Sequence, residues 1–490
     1  MADEVQDLEL KEITLVQLPA AVNAQRKFLM HLQDALAPEG TLSALTPGPS
    51  ADVFVVPHAA EQAVREKHGL QGASQWVQRL KDWGAQAVNP LLMDAYIALE
   101  TRGATVHKGE LISQPKVSVP HPEAQATSTD PAVTQPAFAG PYDWHIDERG
   151  VNAAKAWRMF VSDKGATSHL PWADVRIAHI DTGYTEHAGL GWNQGDSSFV
   201  FPQQGKDFWK GDDALDGPRD PFLPGFPGHG TRISAAISGF FPTATGGPFY
   251  GVAPGAQIIP YRVTDSVIVD HVQNNIREAI RAAIAAKCHV VNISLGALRP
   301  SKSLASALDE AYDAGLIVVC AAGQVWGEVI YPGRFNRCVT MGGVGPGLKP
   351  WRSAATGIYV DLCGPADEIR RVKAEDLPPG KTATAMAPKT GDGTSYATAC
   401  CSGAAALWLA WHGVENLKDT YGPTGLWQIP KAFKYLAMIT AKPGNWPVDI
   451  TDKYGRGVLD IPALLAANLP HAGSMRKENP AFGLFDNGSL

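Results

Sequence analysis

No stretch of this 490-residue sequence holds the ~18 consecutive apolar residues that a membrane-crossing helix needs. The apolar run at 316–322 is far shorter and reads as a buried strand. The chain also lacks an excess of positive charge. Its 42 Lys and Arg stand against 49 Asp and Glu, a net charge of −7, which argues against nucleic acid as the main partner. Charged residues make up only 19% and hydrophobic ones 45%, so a largely disordered chain is excluded and a sizeable core is expected. The opening Met1-Ala2-Asp3-Glu4 is acidic and has neither the basic nor the apolar region of a signal peptide. A cytoplasmic setting is therefore expected, with export without a cleaved signal as the alternative.

Cysteine is scarce as well. Cys288, Cys320, Cys338, Cys363, Cys400 and Cys401 show no paired spacing with histidines, so a zinc site is not expected. Cys288 and Cys320 fall in strand-like runs and Cys400 and Cys401 in a helix-like one. Buried free thiols are expected rather than a disulfide framework.

What the chain does have is a stretch, 391–411, that organises the rest. Gly391 and Gly393 permit a tight backbone approach, Thr394 and Ser395 follow, and Ala397, Ala399, Ala404, Ala405, Ala406 and Leu407 read as a buried helix. A serine in the first turn of such a helix sits among unpaired backbone N–H groups and the positive end of the dipole, where an oxyanion is favoured. By itself Ser395 reads first as an N-cap, which is what most serines at such positions are. Two further stretches change the balance. An apolar strand at 175–180 ends on Asp181-Thr182-Gly183, and Gly228-His229-Gly230-Thr231 opens another small-residue helix. An acid at a strand end and a histidine and serine at helix starts can meet above one edge of a parallel sheet, where ligands bind in open α/β folds.

These motifs, in the order Asp181, His229, Ser395, resemble those of the subtilisin-family serine peptidases (subtilases). Gly251-Val252-Ala253-Pro254-Gly255-Ala256, Asn292-Ile293-Ser294-Leu295-Gly296, Ala321-Ala322-Gly323 and Tyr454-Gly455-Arg456-Gly457 match the family's pattern in the same order. The resemblance covers roughly residues 140 to 466. It implies an α/β, three-layer subtilisin-like fold with a mostly parallel central sheet. It also implies a serine endopeptidase with Asp181, His229 and Ser395 as triad, acting on peptide or protein substrates without a required cofactor. The Ser395 N–H and the side-chain amide of Gln324 would form the oxyanion hole. Ser294, Leu295 and Gly296 would pair with an extended substrate, and Ala321, Ala322 and Gly323 would line the opposite wall of the primary pocket.

Departures from the family pattern are visible. Gln324 stands where the family has asparagine, Ala399 where it usually has proline, and Arg232 where histidine usually follows Gly-His-Gly-Thr. Ile330, before Tyr331-Pro332-Gly333, takes the place of a glycine that in many subtilases leaves a deep pocket floor. The alternative function is a weak or inactive subtilase-fold protein that binds peptides. Asp207, Asp212, Asp213, Asp216 and Asp220 form an acidic stretch that could hold a structural calcium ion, though it lacks regular ligand spacing and reads first as a solvated loop.

Four regions are expected. Residues 1–112 form a small α/β domain, with strands at 12–18 and 52–56 and helices at 22–37, 61–67, 74–83 and 91–101. It is either propeptide-like, able to inhibit the enzyme intramolecularly, or a separate accessory domain. Residues 113–140 are a Pro-, Ser- and Thr-rich linker, 141–466 the catalytic domain, and 467–490 a polar, loose tail. Within the catalytic domain, strand-like runs at 257–263, 290–294 and 316–320 alternate with helix-like runs at 271–286 and 304–314, which indicates a parallel sheet, and runs at 337–343 and 358–362 read as further strands.

Overall fold

The structure, a computed structural model of the full chain, describes residues 138, 140–166, 170–192, 198–210, 218, 220, 226–324, 327–374, 382–446 and 451–483. Of the residues before 138 it describes the strands at 13–17, 46–47 and 53–57 and residue 69. The chain divides into two units, 1–119 and 120–490.

In the first unit β1 (Ile13–Gln17) and β3 (Val53–Pro57) pair antiparallel, Ile13 opposite Pro57, and β2 (Thr46–Pro47) lies on the other side of β3. The helices read in this region, and all of the linker except residues 138 and 140, lie outside the described residues.

The second unit alternates strands and helices, as its apolar periodicity predicts. In chain order come α1 (Ala153–Lys164), β4 (Arg176–Asp181), β5 (Lys206–Asp207), α2 (His229–Ser238), β6 (Phe240–Phe241), β7 (Phe249–Tyr250), β8 (Gln257–Arg262) and α3 (Gln273–Ala285). Then follow β9 (Val290–Ile293), α4 (Lys302–Asp313), β10 (Ile317–Ala321), β11 (Val339–Val344) and β12 (Leu362–Pro365). Five helices complete it: α5 (Thr394–His412), α6 (Val414–Tyr421), α7 (Gln428–Ile439), α8 (Thr451–Tyr454) and α9 (Ile461–Ala466). Seven strands form one sheet in the order β12-β11-β10-β9-β4-β8-β5, every neighbouring pair parallel.

Side chains alternate across this sheet, and the two faces have separate cores. Ala178, Ile180, Val291, Ile293, Val318 and Cys320 pack with α3 and α4. Ile177, Val290, Ile317 and Val319 pack on the other face with α1, α2, α5 and α9. Helices on both faces make the three layers of a subtilisin-like α/β fold. Helix α5 is buried along most of its length, which is why its apolar residues show no single face. All six cysteines are buried free thiols.

Two readings of the sequence need correction. The run at 358–362 is not a strand. Ile358 is 55% exposed, Gly357 turns the chain at φ +131°, and pairing with β11 begins only at Leu362. Its apolar character serves packing, with Val360 buried in a small cluster beside β12. Nor is the tail loose through residue 483. Met475, Glu478 and Ala481 are buried, the Arg337 N–H donates to Glu478 Oε2 at 3.1 Å, and the Ala481 N–H donates to Asp309 at 2.9 Å. The polarity that reads as a solvated tail is matched by charges waiting inside the fold, among them Lys431 and Lys434.

Candidate active site

Asp181 is the last residue of β4, an interior strand between β9 and β8, so its carboxylate emerges at the carboxyl end of the sheet. His229 opens α2 because Gly228 before it takes a left-handed conformation at φ +69° that a side chain would oppose. Ser395 lies in the first turn of α5 after Gly393, whose φ of +144° makes the turn into the helix. Strand end and two helix starts thus deliver the three side chains to one place.

The His229 Nδ1–H donates to Asp181 Oδ1 at 2.7 Å, and His229 Nε2 lies 3.3 Å from Ser395 Oγ. Asp181 is fully buried, and Oδ1 also accepts the Thr182 N–H at 2.7 Å. Burial alone would raise the Asp181 pKa. The nearby His229, with help from His179 and the Thr182 N–H, outweighs it and holds the group below the ordinary carboxylate value. Asp181 is therefore ionised at neutral pH and orients the imidazole so that Nε2 faces the serine as an acceptor. Ser395 Oγ also lies 3.3 Å from the carbonyl oxygen of Ser294.

Gln324 reaches the same place. Its Oε1 accepts the Thr394 N–H at 3.1 Å, which fixes the carboxamide beside the start of α5. Ile330 lies between Gly296 and Gly323, and a Cβ on either glycine would collide with its side chain. The two pocket walls read from sequence therefore face each other across Ile330. Gly296 also pairs with the 267–269 segment. Its N–H donates to the carbonyl of Val267 at 2.9 Å and its carbonyl accepts the N–H of Val269 at 2.9 Å, so its backbone is already paired within the chain. The sequence carries no local signal of this contact, because the 267–269 segment approaches from the loop after β8. Ala399 is buried in the core without a polar role, and Arg232 donates to the carbonyl of Pro227 at 2.9 Å.

Of the acidic stretch, Asp207 pairs with Arg262 at 2.9 Å, and Asp220 accepts the Thr182 hydroxyl and the Gly228 N–H. Asp212, Asp213 and Asp216 lie outside the described residues. Among the described residues there is no cluster of three or more metal-ligating side chains, and no helix is long and apolar enough to cross a membrane.

Comparison with known proteins bears on this arrangement. A family model described as the subtilase family matches residues 173–445, more than half of the chain and all three candidate side chains. The chain belongs to the subtilase family. An alkaline protease of Alkalihalobacillus alcalophilus is 26% identical over 330 residues, 64% of this subtilase and 76% of that protein. Subtilisin Savinase of Lederbergia lenta is 28% identical over 259 residues, 51% of this chain and 84% of its own. A solved structure, MycP1 with the N-terminal propeptide removed, covers 67% of this subtilase and 98% of its own chain at 23% identity and a TM-score of 0.48.

Sequence reading missed a polar group under the site. His179, two residues before Asp181 and so on the same face of β4, is buried with Asn292 of β9 and Ser402 of α5. The signal was present in the period of two that puts His179 and Asp181 side by side.

Proposed function

We propose that this subtilase is a serine endopeptidase in which Ser395 is the nucleophile, His229 the general base and Asp181 the group that orients it. The observation that carries the reading is the continuous hydrogen-bonding line from Asp181 Oδ1 through His229 to Ser395 Oγ, with steps of 2.7 and 3.3 Å. As Ser395 Oγ bonds to the scissile carbonyl carbon, its proton passes to His229 Nε2 and the carbonyl electron pair moves onto oxygen. Collapse of that adduct breaks the C–N bond, and the imidazolium gives its proton to the departing amine. Water repeats the sequence on the acyl-enzyme, releasing the acid and restoring the serine hydroxyl.

The oxyanion is served by the Ser395 N–H and the amide NH2 of Gln324. Because Oε1 of Gln324 is occupied by Thr394, the NH2 end is the one left for the substrate. Ile330 fills the space between the two pocket walls, which favours small residues before the scissile bond. A substrate strand laid against Gly296 has to displace the contact with 267–269, so substrate backbone pairing is coupled to movement of that segment.

A fluorophosphonate probe tests the reading without knowledge of the natural substrate. Wild-type protein should be labelled covalently and Ser395→Ala should not. An unlabelled wild type across the neutral pH range would instead support a peptide-binding protein that retains the fold.

A further inference from the structure

His179 is buried within the sheet, opposite Asn292 of β9 in register. It is 1% exposed on β4, and its ring is held at both nitrogens. Nε2 lies 3.1 Å from the carbonyl oxygen of Gly230, which can only accept, so Nε2 carries the hydrogen. Nδ1 then accepts from the Asn292 amide NH2 at 3.2 Å. The same NH2 group donates to Ser294 Oγ at 3.1 Å, Asn292 Oδ1 accepts the Ser402 hydroxyl at 2.9 Å, and the Ser294 hydroxyl donates to the Ser395 carbonyl at 3.3 Å. One tautomer of His179 satisfies every link.

The donor end of that ring touches the candidate triad twice. Gly230 is the residue after His229 on the first turn of α2, so the bond to its carbonyl holds the backbone that carries the base. Nε2 also lies 3.8 Å from Asp181 Oδ2, a buried oxygen that accepts no hydrogen bond among the described residues. At that distance the contact is electrostatic rather than a hydrogen bond. We propose that His179 is a positioning residue for the triad, whose Nε2–H fixes the start of α2 and partly neutralises the free oxygen of Asp181. The inference rests on the serine-peptidase reading of the same site.

Burial holds His179 below the ordinary imidazole pKa against the pull of Asp181, so it stays a neutral donor where the enzyme would work. The titratable groups facing it are Asp181 on its own strand and His229 on α2, while Asn292 on β9 and Ser402 on α5 do not titrate. Without the Nε2–H, the uncompensated carboxylate draws a proton more strongly to the Asp181–His229 pair. Loss of the donor therefore slows the reaction and moves its acid limb to higher pH.

The test compares two polar replacements that differ in reach. His179→Asn keeps an oxygen for Asn292 but has no group at the position of Nε2; His179→Gln places an amide N–H there. Second-order rates of fluorophosphonate labelling are measured on the full chain from pH 5 to 9, with thermal unfolding run alongside. We expect His179→Asn to label about tenfold more slowly at pH 8, with the acid limb raised by about half a pH unit, as loss of a hydrogen-bond donor near a charge implies. His179→Gln should recover most of the rate and the wild-type profile. Equal rates and profiles in Asn, Gln and wild type overturn the proposal. So does equal slowing in both variants with the shape of the profile unchanged, since that outcome reports packing alone. A wild type that fails to label overturns the peptidase reading itself, and the proposal with it.

Discussion

Asp181 and Glu478 are both buried carboxylates, each accepting a backbone N–H on one oxygen and, among the described residues, leaving the other without a hydrogen bond. They differ in what faces them. Around Asp181 the cationic candidates are imidazoles, His229 at 2.7 Å and His179 at 3.8 Å. Around Glu478 they are ammonium groups, Lys431 at 3.5 Å and Lys434 at 3.9 Å. Burial works against the charge of Lys434, but Asp361 and Glu478 outweigh it and raise its pKa above the ordinary lysine value. Imidazoles gain and lose a proton near neutral pH, and ammonium groups do not. The first carboxylate thus stands beside His229, the proposed base, while burial keeps His179 a neutral donor. The second is set among fixed charges that can only hold the chain in place.

The comparison breaks most sharply in activity. Ser395→Ala, His229→Ala and Asp181→Ala should each lower peptidase turnover by roughly 10⁴–10⁶-fold while the thermal transition stays near that of wild type, and pairing the changes should add little. Glu478→Ala should do the reverse. Glu478→Ala removes the carboxylate beside Lys431 and Lys434, Lys434 keeping Asp361 at 3.2 Å, and loss of one partner of a buried ion pair costs about 3–5 kcal/mol of stability, read by denaturant unfolding. Labelling of its folded fraction should keep the wild-type rate. A Glu478→Ala protein of unchanged stability would show that the C-terminal segment is not anchored by that charge.

A smaller effect sharpens the active-site half. Gln324→Ala should lower turnover by about tenfold or more with little change in apparent binding, because a donor to the oxyanion acts mainly in the transition state. The longer side chain of glutamine is braced by the Thr394 N–H at 3.1 Å, so it has a defined place from which to donate. Unchanged turnover would mean that the amide does not reach the oxyanion.

What could be read in advance follows the range of the interactions. Asp181, His229 and Ser395 were legible because each is presented by its own neighbours: a strand end, a left-handed Gly228 and a turn at Gly393. The parallel sheet was legible in the alternation of buried strands with amphipathic helices such as α3 and α4. His179 was not recognised, since its partners Gly230 and Asn292 lie 51 and 113 residues away. The tail that carries Glu478 reads as polar and loose for the same reason, the partner Arg337 being 141 residues distant. The run at 358–362 failed differently. Local β propensity was real, but Val360 spends it on packing rather than on strand pairing.

The smallest expected effect concerns substrate choice at Ile330. Its side chain occupies the space between Gly296 and Gly323 so closely that neither glycine could carry a Cβ without collision. Its backbone is also fixed, the Ile330 N–H donating to the Ala322 carbonyl at 3.0 Å, so the branched chain cannot withdraw by a simple shift of the segment. Val329, next to it, is 2% exposed and packs with Ala322, which holds the segment from beneath. A large residue before the scissile bond must therefore push Ile330 aside, and overpacking of this kind costs about 1–3 kcal/mol. That range corresponds to between a few-fold and roughly a hundredfold in relative turnover. Wild-type enzyme should prefer Ala or Val over Phe or Tyr at that position. Ile330→Gly should open the space and shift the preference toward aromatic side chains without changing the rate of fluorophosphonate labelling by more than a few-fold. Profiling both proteins against one peptide library decides the matter, and an aromatic preference already present in wild type and unaltered in Ile330→Gly would show that Ile330 packs under the pocket rather than in it.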